Sequence, residues 1–124
     1  MKTQIKVTGI EHEELVDLLS TALYGSSWFA ARYDRSLYET IENKQGECFE
    51  DKLADMLLAG HKISIVDGED DGDAVYEIGL QDFLDVASTE KGYQLLNDVL
   101  SGDGDYYTAD SFLQRVVFGE EVYG

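Results

Sequence analysis

The chain reads as an α+β domain: a small, largely antiparallel sheet of three to four strands covered by four to five helices, in the order β-α-β-α-β-β-α-α. Three observations predict it. A length of 124 residues with 44% apolar content suits one core of ordinary size, so residues 1–124 are expected to form a single acidic domain. Two stretches that alternate apolar and polar, His61 to Val66 and Val75 to Leu80, flank a turn made almost wholly of acid and glycine, the pattern of a hairpin. Elsewhere apolar residues recur at helical spacing.

Taken in order, Gln4 to Val7 alternates like a short strand, and Thr8 with Glu11 three residues on resembles a capping box. The helix it opens runs to about Tyr24. Leu15, Leu18, Leu19, Ala22 and Leu23 form one apolar stripe, and Glu11, Glu13, Glu14 and Asp17 crowd the first turns, where the helix dipole favours anions. Gly25 is the expected stop. Trp28 to Tyr38 is aromatic-rich and reads as a strand. Phe49, Leu53, Met56 and Leu57 set a second helix over Glu47 to Ala59, ended by Gly60. After the hairpin, Gln81 to Val86, Gly92 to Leu100 and Ala109 to Phe118 are helical by pattern, with Thr108 the expected cap of the last and Gly119 its stop. Tyr106-Tyr107 and Val122-Tyr123-Gly124 add aromatic surface or one more strand.

The charge is unevenly placed. The first 35 residues carry five acidic groups against four basic ones, and the remaining 89 carry 21 against five, so a net −1 is followed by −16. Such a surface repels nucleic acid and anionic lipid, which argues against direct nucleic-acid binding and membrane roles. No apolar run approaches the roughly 18 residues that span a bilayer, and the first residues lack a signal-peptide stretch. The one cysteine, Cys48, fits a reducing compartment, so a cytoplasmic protein is expected. Eight Tyr, five Phe and one Trp argue against disorder despite the charge.

No catalytic signature is present: no G-x-S-x-G elbow, phosphate loop, H-E-x-x-H or dinucleotide fingerprint. No cofactor and no enzyme activity are therefore expected. The loop Asp67 to Asp73 invites a calcium reading, with Asp67, Glu69 and Asp71 at the first, third and fifth positions of an EF-hand loop and Gly72 at the sixth. The twelfth position, which should supply a bidentate Glu, is Ile78, and the flanks read as strands, so the loop is taken as a solvated hairpin tip with no metal site. His12 and His61 share no zinc spacing with Cys48. His12 reads as a surface residue, His61 as a helix-end flank, and Cys48 as a small buried hydrophobe.

Two stretches carry binding potential. The acids Glu69, Asp70, Asp71, Asp73, Asp82, Asp85, Asp103, Asp105, Glu120 and Glu121 form a charge map for a basic partner. Trp28, Arg32, Tyr33 and Arg35 hold the only local positive cluster among aromatics, a set suited to stacking and phosphate clamping in a small-molecule or nucleotide-sequestering module. An exposed aromatic strand there would also favour a homodimer.

Three stretches, Leu15 to Phe29 (LVDLLSTALYGSSWF), His61 to Leu84 (HKISIVDGEDDGDAVYEIGLQDFL) and Ala109 to Gly124 (ADSFLQRVVFGEEVYG), carry a resemblance to short, acidic, uncharacterised proteins of phages, prophages and conjugative elements of gut Gram-positive bacteria. Ser36 to Glu50 departs from that pattern. The resemblance brings no chemical motif; it implies an accessory setting in which small acidic proteins blunt host defence by occupying nucleic-acid channels, a DNA-mimic or anti-defence role. Duplex DNA displays one charge per about 1.7 Å of axis, so a rigid array of carboxylates competes for the same Lys/Arg groove. The leading expectation is thus a non-enzymatic acidic inhibitor or adaptor that binds a basic nucleic-acid-handling host protein. Its rivals are the ligand-binding module and a soluble domain whose acids only solvate it.

Overall fold

A computed structural model describes residues 6–123. Six helices and a three-stranded antiparallel sheet follow one another as α1 (His12–Gly25), β1 (Phe29–Arg32), α2 (Arg35–Glu39), α3 (Phe49–Leu58), β2 (Ile63–Asp67), β3 (Val75–Ile78), α4 (Leu80–Ala87), α5 (Glu90–Leu100) and α6 (Tyr106–Phe118). The fold is α+β, with strand order β1-β2-β3. Ala31 pairs with Ile65, and Ile65 in turn with Tyr76, so β2 is the central strand. Its inward residues Ile63 and Ile65 are fully buried and join Ile78 of β3 in one apolar cluster with Leu15, Leu18 and Leu19 of α1, Leu53, Met56 and Leu57 of α3, and Phe112 and Leu113 of α6. Each such side chain contributes about 1.5–3 kcal/mol by leaving water. Helix α6 packs against α1, α4, α5 and β3, and α3 packs against α1, α2 and β2.

Several expectations are corrected. Half of the strand expected over Gln4 to Val7 lies outside the described residues; Lys6 and Val7 form none, and the Val7 N–H donates to Ser88 Oγ at 2.9 Å. Helix α1 is capped at Glu11 rather than Thr8: the Glu11 N–H donates to Glu14 Oε1 at 2.8 Å, and Ile10 and Leu15, at the two staple positions, are both buried. The strand expected over Trp28 to Tyr38 stops at Arg32 because Asp34 accepts from the Ser36 and Leu37 N–H groups at 2.8 and 3.2 Å and starts α2. A short carboxylate that bonds its own backbone offers the chain a helix start in place of a sheet ladder. Asp105, not Thr108, caps α6, accepting from the Tyr107 and Thr108 N–H groups at 3.0 and 3.2 Å, so Tyr106 and Tyr107 fill the first turn of the helix. Gly119 ends α6 as expected, at φ +82°, where a Cβ would be strained.

Candidate partner-binding face

The hairpin between β2 and β3 is built around its first acid. Asp67 is buried; its Oδ1 accepts from the Glu69 N–H at 2.9 Å and its Oδ2 from Tyr123 Oη at 2.6 Å. The Gly68 N–H donates to the Trp28 carbonyl at 2.7 Å, tying the tip to the start of β1. Asp70 Oδ1 accepts from the Gly72 N–H at 3.1 Å, and Asp73 sits at φ +47°, a conformation Asp and Asn tolerate. The carboxylates of Glu69, Asp70, Asp71 and Asp73 are exposed, and none pairs with a Lys, Arg or His among the described residues. Asp67, which an EF-hand alignment would make the first ligand, is occupied by Tyr123. Among the described residues no three His, Cys, Asp or Glu side chains converge to hold a metal ion.

Behind the tip lies a polar chain that organises the C-terminal tail. Asp110 accepts from Ser26 Oγ at 2.8 Å, from Trp28 Nε1 at 2.5 Å and from Gln114 Nε2 at 2.9 Å. Gln114, 1% exposed, uses its full hydrogen-bonding capacity: its Nε2 also donates to the Tyr123 carbonyl at 3.1 Å, and its Oε1 accepts from the Val122 and Tyr123 N–H groups at 2.7 and 2.8 Å. The tail thereby lies back along α6, and Tyr123 packs on Trp28 and Phe118 with ring centroids 5.6 and 5.9 Å away. The hydrogen bond to Asp67, with burial and the charges of Asp67, Glu69 and Asp70, pushes the Tyr123 hydroxyl up to about 12.

Between tip, tail and α6 opens a cleft of about 430 Å³ lined by Gly25, Ser26, Ser27, Trp28, Glu69, Tyr106, Tyr107, Asp110 and Tyr123. Gly25 is required there, because a Cβ on it would run into the Tyr106 ring. The rings of Tyr106 and Tyr107 touch, with centroids 4.1 Å apart and planes tilted by 34°. They are 40% and 60% exposed, and Tyr24, which shares a neighbouring depression with Tyr106, is 94% exposed. Tyrosine is among the residue types enriched in binding hot spots. The sequence hides this grouping, since Tyr24 follows a run of core-facing helix residues and Tyr106 and Tyr107 are separated from it by the whole sheet.

The ten acids of the charge map do not form one surface. Glu69 shares the cleft with the start of α6, near Asp105, whereas Asp85 lies with Arg115 and Gly119 at the other end of that helix, about 18 Å away by its rise, where Arg115 also pairs with Glu121 at 3.0 Å. Asp82 caps α4 through the Gly79 N–H at 2.8 Å, Asp105 caps α6, and Asp103 accepts from Ser101 Oγ at 3.3 Å. Glu120 is exposed. The members of the alternative set have different surroundings: Trp28 is buried on Asp110 and lines the cleft, Tyr33 packs on Tyr38 and Phe49, and Arg32 and Arg35 are exposed on β1 and α2.

Away from this face, α1, α2 and α3 enclose Asp55, 4% exposed, which accepts from Tyr38 Oη at 3.0 Å and from the Gln45 and Gly46 N–H groups. His12, expected at the surface, is instead packed there, its Nε2 3.2 Å from Asp55 Oδ1 and 3.9 Å from Asp51 Oδ1 but without a hydrogen bond. Burial, reinforced by Asp55, pushes the Tyr38 hydroxyl up to about 12. Cys48, expected to be buried, is exposed at the cap of α3 because its Sγ donates to Asp51 Oδ2 at 2.8 Å, and that bond raises the thiol pKa, which weakens it as a nucleophile. His61 flanks the end of α3, its N–H on the Met56 carbonyl at 2.9 Å.

No helix among the described residues is long and apolar enough to cross a membrane. No family model matches this chain, and no curated protein or solved structure matches it.

Proposed function

We propose that this protein is a non-enzymatic acidic binder of a basic, nucleic-acid-handling protein, and that the partner meets the end of the molecule formed by the β2–β3 tip and the start of α6. The observation that carries the reading is that Glu69, Asp70, Asp71 and Asp73 stand exposed with no cation paired to them among the described residues, and that Glu69 shares a cleft with the exposed rings of Tyr106 and Tyr107. A partner groove of Lys and Arg is drawn to the former, and the latter supply contact area at low entropic cost. The resemblance to acidic proteins of mobile elements supports a setting in which such a partner belongs to a host defence or nucleic-acid enzyme.

The test is capture from host lysate at about 0.1 M and about 0.5 M salt, where the Debye length falls from about 10 Å to about 4 Å. The wild-type chain is compared with one carrying Glu69→Gln, Asp70→Asn, Asp71→Asn and Asp73→Asn, amides that keep the turn hydrogen bonds. A basic nucleic-acid enzyme held only at low salt, displaced by duplex DNA and lost from the amide variant is the expected result. Capture of no basic protein, or of one that the amide variant retains, would refute the reading.

A further inference from the structure

We infer that the cleft between Glu69 and the Tyr106–Tyr107 pair receives an arginine side chain of the partner protein. The inference rests on the reading above for its occupant, but the cleft carries its own chemistry. Its volume of about 430 Å³ lies within the range of about 300–1,000 Å³ typical of ligand sites, ample for one long side chain and its waters. The Asp110 carboxylate lines it and takes three hydrogen bonds from neutral donors, with no cation paired to it among the described residues. Its rim bears the exposed Glu69, whose backbone is tethered by Asp67. Tyr106, which lies against Gly25, and Tyr107 also line it, their rings in contact and tilted by 34°.

Carboxylate, fixed anion and aromatic face together select a cation that is flat and forked. A guanidinium stacks on a tyrosine face and gives two parallel N–H donors to one carboxylate; an ammonium does the former less well and the latter not at all. The exposed ring of Tyr107 supplies the stacking surface and Glu69 the fork.

Trp28, the single tryptophan, lines the cleft and reports its occupancy by fluorescence. The probes are three capped Gly-X-Gly peptides with X arginine, lysine or citrulline, the last having the shape of arginine without its charge. Saturable change in Trp28 emission with the arginine peptide, weaker with lysine and absent with citrulline, is expected. Tyr107→Ala should weaken arginine binding about five-fold and Tyr107→Phe should restore it. Glu69→Gln should weaken it about ten-fold, while Glu13→Gln, the same charge change at an exposed position about 18 Å along α1 from Gly25, should leave it within about two-fold. No arginine binding, indifference to Tyr107→Ala, or equal losses from Glu69→Gln and Glu13→Gln would overturn the inference. Peptide binding without a basic partner in lysate would remove the partner reading and keep the cleft; a salt-sensitive partner captured equally well by Tyr107→Ala, with no peptide binding, would do the reverse.

Discussion

Replacing Gln114 by leucine should loosen the tail from α6 and cost about 3 kcal/mol of stability. The wild-type amide makes four hydrogen bonds, two from Nε2 to Asp110 and the Tyr123 carbonyl and two accepted from the Val122 and Tyr123 N–H groups. At about 0.5–1.5 kcal/mol net each, the set is worth about 2–6 kcal/mol. Val122 is exposed and Tyr123 half-buried, so water recovers part of what the tail loses, which brings the expectation to the lower half of that range. Leucine is of similar volume, so no large cavity adds to the cost. If the tail detaches, Tyr123 also leaves Trp28 and Phe118, and aromatic pairs of this kind contribute about 0.5–1.5 kcal/mol beyond area. Urea unfolding followed by Trp28 fluorescence and by far-ultraviolet circular dichroism measures the change, and melting should come about 10 °C earlier. The double variant with Tyr123→Ala should cost clearly less than the two singles together, because both release the same segment. A loss under about 0.5 kcal/mol, or additive singles, would refute the view of Gln114 as the clamp of the tail.

Tyr38 and Tyr123, both pushed up to about 12 from 10.0, favour the protonated form in the folded chain; their contribution is complete below pH 10 and is lost as pH rises from 10 through 12. Ultraviolet titration of the folded chain should therefore show a late component near 12 that is reduced in Tyr123→Phe; no such component, or one that Tyr123→Phe leaves unchanged, would contradict this. Asp55→Leu should destabilise the chain by about 3 kcal/mol in the same urea assay, since it strands the Tyr38 hydroxyl and two backbone N–H groups, whereas an effect confined to a few tenths would mean that water replaces the carboxylate. Asp51→Asn should speed iodoacetamide alkylation of Cys48 near pH 8, because the carboxylate that holds the thiol proton is gone; an unchanged rate would show that Asp51 does not control the thiol.

The elements that sequence patterning reveals are those whose information is local. The stripe from Leu15 to Leu23, the alternation on both sides of Asp67 to Asp73, and Gly119 as a stop each depend on neighbours within a turn or a hairpin. The misread segments are those where a polar side chain redirects the backbone. Asp34 ends β1 by capping α2, and Asp105 draws two tyrosines into α6, although both segments have the aromatic content of strands. The cleft was not legible at all, since it joins Gly25, Glu69 and Tyr107 from three separate elements. His12 is likewise drawn inward by Asp55, a partner on another helix with no spacing rule to announce it.

Composition counts acids but does not sort them, and here the sorting decides what a partner can meet. Asp34, Asp82 and Asp105 are spent on helix starts, and Asp55, Asp67 and Asp110 are enclosed by donors from other elements. Neutralising any of these would change the fold before it changed a surface. Among the described residues the side chains of Glu69, Asp71 and Asp73 accept no hydrogen bond, and Asp70 makes a local one that an amide reproduces. The tip is therefore the part of this charge that can be removed while the core, the caps and the tail stay as they are. A chain with net −17 would change by four charges there, a minor change in overall field but one concentrated at the hairpin tip, whose Glu69 shares the cleft with Tyr106 and Tyr107. Binding that depends on the field of the whole molecule and binding that depends on this face respond differently to that single alteration, which makes the face, rather than the total charge, the quantity to perturb.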